Sequence, residues 1–248
     1  MSAPSPTVGD DEQSAGDRTR LRRFPEQGSH RPSDLHAVLD AGFVCHLGIV
    51  LDGWPTVLPT SYGRLDDVLY LHGSVASQSL RAAKQTKVRA CVTVTHVDGL
   101  VLARSVFEHS VNYRCAVIFG EPDVLSDPDD KLIGLHAISN QAAPGQWEYA
   151  RSPAPEELAV TTVLRMSLDQ SSVKMRQGPP ADGHDPDAQL DVWAGEIPLR
   201  ALRLDPVPDP ALRPGIRLPD HLASGRLAPG WTPPPRTALG QKGDPGAS

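Results

Sequence analysis

From Phe43 to Gly120 the chain is a succession of β-rich stretches joined by short turns, with helical stretches only at a few corners. FVCHLGIVLDGWPTVLPTSY holds two such stretches around Asp52-Gly53, a dipeptide that accepts the positive φ angles of a two-residue hairpin turn. VLYLHG follows a turn at residues 64–67; VRACVTVT, GLVLARS and NYRCAVIFG come next, and TTVLRMSLD reads as a late strand. Strands joined this tightly pair antiparallel, because a parallel neighbour needs a crossover of about a dozen residues or more. Six or seven strands without βαβ alternation predict a mainly β chain with peripheral helices (α+β), built as an antiparallel barrel.

Three helices are expected at the corners. Pro32-Ser33-Asp34 supplies start signals, Leu35, Val38 and Leu39 share one face, and Gly42 ends the first. Ser77 to Lys84 reads as the second, with Leu80 and Ala82-Ala83 toward the core. The third opens at Asp127-Pro128, a cap followed by proline in the first turn, and points Leu132, Leu135 and Ile138 inward. The ends differ in character. Residues 1–20 are polar and small, and 16 of the 44 residues from Asp205 to Ser248 are Pro or Gly. Neither end can bury enough apolar surface to offset chain entropy, so both are expected to be disordered, around one domain at 21–204.

Composition narrows the function. A formal net charge of −6 argues against a nucleic-acid protein, which needs basic surplus for phosphates. No apolar run approaches the ~18 residues of a membrane span, and the acidic N-terminus is unlike a signal peptide. Three cysteines without C-x-x-C suit a reducing compartment, so a cytoplasmic protein is expected. Cys45, Cys91 and Cys115 each fall inside a strand and read as small buried hydrophobes. The nine histidines form no HExxH and no close i, i+4 pair, so no metal site is expected.

Three places carry candidate chemistry. In LYLHGSVASQSLR a strand ends in Gly73 and a hydroxyl-rich turn opens a helix. Free N–H groups at a helix start attract anions; Ser74, Ser77 and Ser79 add hydrogen bonds, and Arg81 lies one turn beyond Ser77. This suits a phosphate monoester, and an ordinary serine-capped helix is the plain alternative. Asn112, Tyr113 and Arg114 offer donors and an aromatic face at a strand start, where a solvated edge strand is equally in keeping. Lys174 and Arg176, two residues apart on an extended segment, project to one side and either clamp an anion or form a solvated basic loop. Neither GxGxxG nor GxxxxGK[ST] is present.

The stretches VCHLGIVLDGWPTVLPTSYGRLDDVLYLHGSVASQSLRAA and VTVTHVDGLVLARSVFEHSVNYRCAVIFGEP, with SSVKMRQGPP and VWAGEIPL, resemble the pyridoxamine 5′-phosphate oxidase-like flavoproteins, above all their nitroimidazole-resistance-related branch. The likeness spans about residues 20–204. It implies an FMN-binding split barrel that forms a homodimer, with the flavin at the subunit interface and a small-molecule substrate. On this resemblance Leu58, Pro59, Thr60, Ser61 and Tyr62 run along the flavin ring. His72, Gly73 and Ser74, with Ser77 and Arg81, contact ribityl and phosphate. Asn112, Tyr113 and Arg114 form the next contacting strand, Lys174 and Arg176 the basic C-terminal segment, and Trp193 covers the ring. The oxidases proper carry a lysine in the strand that reads WPTVLPTSY here, so oxidation of pyridoxamine phosphate is not implied.

The resulting expectation is an FMN-dependent oxidoreductase, nitroreductase-like, with His72 as the proton-handling side chain because imidazole titrates near neutrality. Two alternatives stand beside it. One is a haem-binding split barrel with His46, His72 or His109 as axial ligand, and the other a non-catalytic flavin-binding module.

Overall fold

The computed structural model describes residues 18–74, 88–184 and 186–223. The expected helix at Ser77 to Lys84 therefore lies outside the described residues, as do 1–17 and 224–248. The first helix, α1 (Pro32–Asp40), forms as its start signals predict, with Leu35, Val38 and Leu39 buried. Strands β2 (Val44–Leu51) and β3 (Trp54–Leu65) make the hairpin across Asp52 (φ 49°) and Gly53 (φ 79°). A short β1 (Gly28–Ser29) precedes α1, and β4 (Val68–Ser74) returns along the end of β3.

VRACVTVT and GLVLARS, expected as two strands, are one: β5 (Ala90–Leu102). Asp98-Gly99 does not turn the chain. It forms a bulge, where the register with β6 (Ser110–Gly120) shifts between Val97 and Gly99. Arg114 stabilises this irregularity by gripping Asp98 with two hydrogen bonds of 2.8 and 2.9 Å. The last strands are β7 (Asp123–Val124), β8 (Thr161–Ser167), β9 (Ser171–Arg176) and β10 (Gly195–Pro198).

All pairings are antiparallel, in the order β1-β9-β6-β5-β2-β3-β4-β8-β7, with β10 on the far part of β5. The path splits on β3, whose residues from Trp54 to Ser61 pair with β2, while Tyr62 to Leu65 pair with β4. This is the expected split barrel. Period-two alternation turns Cys45, Leu47 and Ile49 of β2 and Leu69 and Leu71 of β4 into one apolar interior, which α1 closes.

The helix α2 (Pro128–Ala142) is capped by Asp127, which accepts from the N–H groups of Asp129 and Asp130 at 2.8 and 3.1 Å. Its buried face is rotated from the expected one. Gly134, Ala137 and Ile138 are buried, and Leu132 and Leu135 only half-buried. The cause is close approach: a Cβ on Gly63 of β3 would lie 2.3 Å from the Ala137 carbonyl carbon, so small residues, not leucines, form the contact. Helices α3 (Gln146–Tyr149) and α4 (Pro155–Ala159) follow. The segment expected to be disordered from Asp205 is described to Ala223; it is exposed, with turns at Asp209–Leu212 and Arg213–Ile216, before a last short helix, α5 (Asp220–Ala223).

Candidate functional site

Among the described residues, the split on β3 leaves its outer edge before Ser61 without a strand partner. Tyr62 N–H donates to Phe43 O at 3.1 Å, so alternation aims the N–H and C=O of Thr56, Leu58 and Thr60 at β2. Positions 55, 57, 59 and 61 then face away from β2. Pro55 and Pro59 fall on this outward set, where they remove two donors from an edge that would otherwise recruit another strand. Val57 and Ser61 keep theirs.

His72 lies beside this edge. It is half-buried, its Nδ1 stands 3.5 Å from Ser61 Oγ, and its carbonyl accepts from Thr60 Oγ1 at 3.5 Å. Burial pushes its pKa below the ordinary imidazole range, so near neutrality the ring is uncharged. Gly73 and Ser74 end β4 opposite Thr162 and Thr161 of β8, and Thr162 Oγ1 is buried with no hydrogen-bond partner. Ser77 and Arg81 lie outside the described residues. The Tyr62 ring is fully buried in the barrel interior and its hydroxyl donates to Leu39 O at 2.5 Å, so its side chain belongs to the core. Desolvation raises its pKa, as it does that of buried Cys45, pushed up to about 12.

The remaining predicted residues gather elsewhere. Asn112 Nδ2 donates to Glu196 Oε2 at 2.6 Å and to Gly178 O at 3.3 Å, while its Oδ1 accepts from Arg176. Arg176 also reaches Gly178 O and Pro179 O at 3.0 and 3.1 Å. Arg114 is spent on Asp98. Lys174 donates to Arg23 O at 2.9 Å and lies over the Phe24 ring. Lys174 and Arg176 thus have separate partners and do not share one anion within the chain. Trp193 is exposed, with its ring edge against Gly195. Between β3 and β6 stand β2 and β5, so at about 4.8 Å per strand the two groups lie roughly 14 Å apart along the sheet.

What joins them is the outer sheet face. Val44, His46 and Val50 of β2, Val57 and Pro59 of β3, and Thr93 of β5 share it by register and alternation. Leu100, Val111 and Ile197 continue it beyond the bulge. Val44 is 46% exposed and Val57 64%. These residues carry no formal charge, and the same face ends at β9 in Lys174 and Arg176, the register partners of Cys115 and Tyr113.

Sequence reasoning missed two buried groups. Asp182 accepts from Arg104 N at 2.5 Å and its guanidinium at 3.1 Å, tying the segment after β9 to the end of β5. His136 meets Glu148 at 3.2 Å and Asn140 at 3.1 Å under Trp147, with Nδ1 unpartnered. Its i, i+4 spacing to Asn140 was the available signal. Among the described residues no three His, Cys, Asp or Glu side chains form a metal-sized group, and no helix is long and apolar enough to cross a membrane.

Comparison with known proteins follows this geometry. No curated protein matches the chain. Among solved structures, the flavocytochrome Anf3 from Azotobacter vinelandii is 34% identical, covering 86% of this chain and 98% of its own at a TM-score of 0.80. The FAD and haem binding protein from Mycobacterium smegmatis is 34% identical over 81% of this chain and 98% of its own, at 0.76. A protein described as a candidate 5-nitroimidazole antibiotic resistance protein from Bacteroides thetaiotaomicron is 20% identical over 59% of this chain and 85% of its own, at 0.50. That last likeness carries the fold and not the branch. The family model described as pyridoxamine 5′-phosphate oxidase matches residues 31–175, more than half the chain. The chain belongs to the pyridoxamine 5′-phosphate oxidase family of flavin-binding split barrels.

Proposed function

We propose that the chain is a flavin-dependent oxidoreductase that also carries haem, working as a homodimer on a small-molecule partner in the cytoplasm. The observation that carries this reading is the likeness, at 34% identity over more than four fifths of the chain, to a flavocytochrome and to an FAD and haem binding protein. FMN was the nucleotide that the family resemblance implied; the Mycobacterium smegmatis neighbour makes FAD the first to test and FMN the second. Three free thiols support a reducing compartment.

The residues fit a flavin. The edge of β3 offers the backbone N–H and C=O groups of Val57, the complement of a neighbouring carbonyl and N–H pair on a flavin's pyrimidine edge. Orphaned Thr162 Oγ1, beside Gly73, has capacity for one more polar contact. A bound flavin supplies two-electron chemistry and a haem one-electron chemistry. Neutral His72, steadied at Nδ1 by Ser61, keeps Nε2 to accept or return a proton at the ring edge. Of the three axial-ligand candidates, His109 donates Nε2 to Ala103 O at 3.2 Å and His72 stands at the flavin edge. His46 on the outer sheet face is therefore assigned to haem. The same face supports the dimer: face-to-face packing shields it from water and brings the Asn112–Arg176 group of one subunit toward the β3 edge of the other.

The test is reconstitution with FAD, FMN and haemin in turn, desalting, absorption spectroscopy and mass analysis of what is released. Retained flavin bands and a Soret band are expected, with His46→Ala losing the Soret band and keeping the flavin. Failure to retain either flavin would overturn the proposal. Retained flavin without turnover of reduced nicotinamides or nitro compounds would point to the non-catalytic module.

A further inference from the structure

The stretch from Leu199 to Leu218 has no counterpart in the barrel, yet it is held at both ends. At its start, Leu199 N–H donates to Asp98 O at 2.9 Å, directly after β10 pairs with β5. Arg203 then donates to Ala142 O at the end of α2. Beyond it, His221 of α5 meets Gln146 Oε1 at 3.0 Å and lies against the Tyr149 ring. Between these ties the backbone forms no strand or helix, runs open to Pro208 and then turns at Asp209–Leu212 and Arg213–Ile216, and its apolar side chains stand in water: Leu202 is 78% exposed, Leu204 84% and Val207 91%.

Chain entropy alone would not keep such an arm open. Pro206, Pro208, Pro210 and Pro214 stiffen it toward the polyproline conformation and reduce the entropy left to lose on docking. A prestiffened arm with aliphatic side chains on display is built to cover an apolar surface. Among the described residues its own chain supplies none, since Leu202, Leu204 and Val207 remain uncovered there. The arm leaves β10 at Ile197, on the rim of the apolar patch formed with Leu100 and Val111, which the described residues of its own chain also leave exposed. One molecule thus carries two apolar surfaces side by side, neither of which satisfies the other.

We propose that residues 199–218 form an arm that clasps a second copy of this chain, extending the face-to-face contact. Two-fold symmetry then places each arm on the partner while its ties hold it at home. Tied to its own chain at both ends and turned at Asp209–Leu212 and Arg213–Ile216, the arm projects at most about 30 Å, half of its contour at ~3.3 Å per residue, enough to lie on the near face of a partner subunit. This inference rests on the homodimer reading of the sheet face.

The experiment is sedimentation equilibrium of the full chain against the triple variant Leu202→Asp/Leu204→Asp/Val207→Asp. The expected result is a dimer whose dissociation constant rises at least tenfold in the variant, with circular dichroism unchanged. An unchanged dissociation constant would sink the arm and leave the dimer standing. A wild-type chain that is monomeric at every concentration would remove the dimer reading and the arm with it. Should the variant misfold, hydrogen exchange of the wild-type chain decides. Amides of 202–218 protected at high concentration and not at low support the clasp, and equal exchange at both refutes it.

Discussion

Gly63→Ala tests how α2 is seated. Glycine inside a strand is disfavoured by backbone entropy, so alanine alone should stabilise by about 0.5–1 kcal/mol. The local geometry demands the opposite sign. The new Cβ would sit 2.3 Å from Ala137 C and Ile138 N and 2.4 Å from Ala137 O, where ordinary contact begins near 3.4 Å. Backbone cannot rotate aside, so the helix must retreat by about 1 Å, and a gap of that size forfeits a quarter to a half of each dispersion contact it opens. The cluster affected is Leu65, Tyr70, Ala137, Ile138 and Val163. Overpacking in a core costs about 1–3 kcal/mol, and a backbone-to-backbone clash belongs at the upper end, about 3 kcal/mol. For a domain of this size that lowers Tm by about 6–12 °C. Gly134→Ala is the graded companion. Its Cβ would meet Val163 Cγ1 at 2.7 Å and Tyr70 Cδ1 at 2.8 Å, side-chain atoms that can give, so about 1 kcal/mol is expected. Calorimetry of both variants decides the matter. A Gly63→Ala protein that melts at or above the parent would refute the reasoning, as would a larger loss for Gly134→Ala.

Three more outcomes are expected. Because burial depresses the His72 pKa below its unfolded value of 6.5, its neutral form contributes stability that is complete above that pH and is lost as pH falls through the folded-state pKa. Urea melts from neutral to acidic pH should show this decline, and His72→Gln should flatten part of it. Asp40→Ala leaves Arg64, 7% exposed at its side chain, with only the Asp66 carbonyl, and is expected to cost about 3–5 kcal/mol in chemical denaturation. Asp40→Ala/Arg64→Met should recover most of it, and no recovery would show that the carboxylate acts otherwise. Asp182→Asn removes the charge that binds Arg104, so limited proteolysis should nick residues 177–189 faster than in the parent. Equal rates would show that the segment is held by its other contacts.

Much of the architecture was legible in local pattern. Alternating apolar residues give β2 and β4, Asp52-Gly53 gives the hairpin, and Pro32 and Asp127-Pro128 mark two helix starts. The bulge was not legible, because Asp98-Gly99 has turn chemistry and only Arg114, sixteen residues on, keeps the strand running through it. Of the candidate site, His72 at the strand end was readable as a polar residue beside a glycine turn. That the Tyr62 side chain turns into the core was not legible, because alternation alone does not say which face of a strand is core.

The order of strand-forming and turn-forming residues by itself determined that this chain is an antiparallel, mainly β protein with helices at its corners, since backbone propensity and side-chain period are local properties. Tertiary structure decided that β3 splits between two neighbours and exposes its edge, that α2 seats on glycine, and that Asn112 and Arg176 satisfy each other on the far side of the sheet. Those outcomes depend on which distant residues meet, and hydrogen bonding and close packing act only between groups the fold has already brought within a few ångströms.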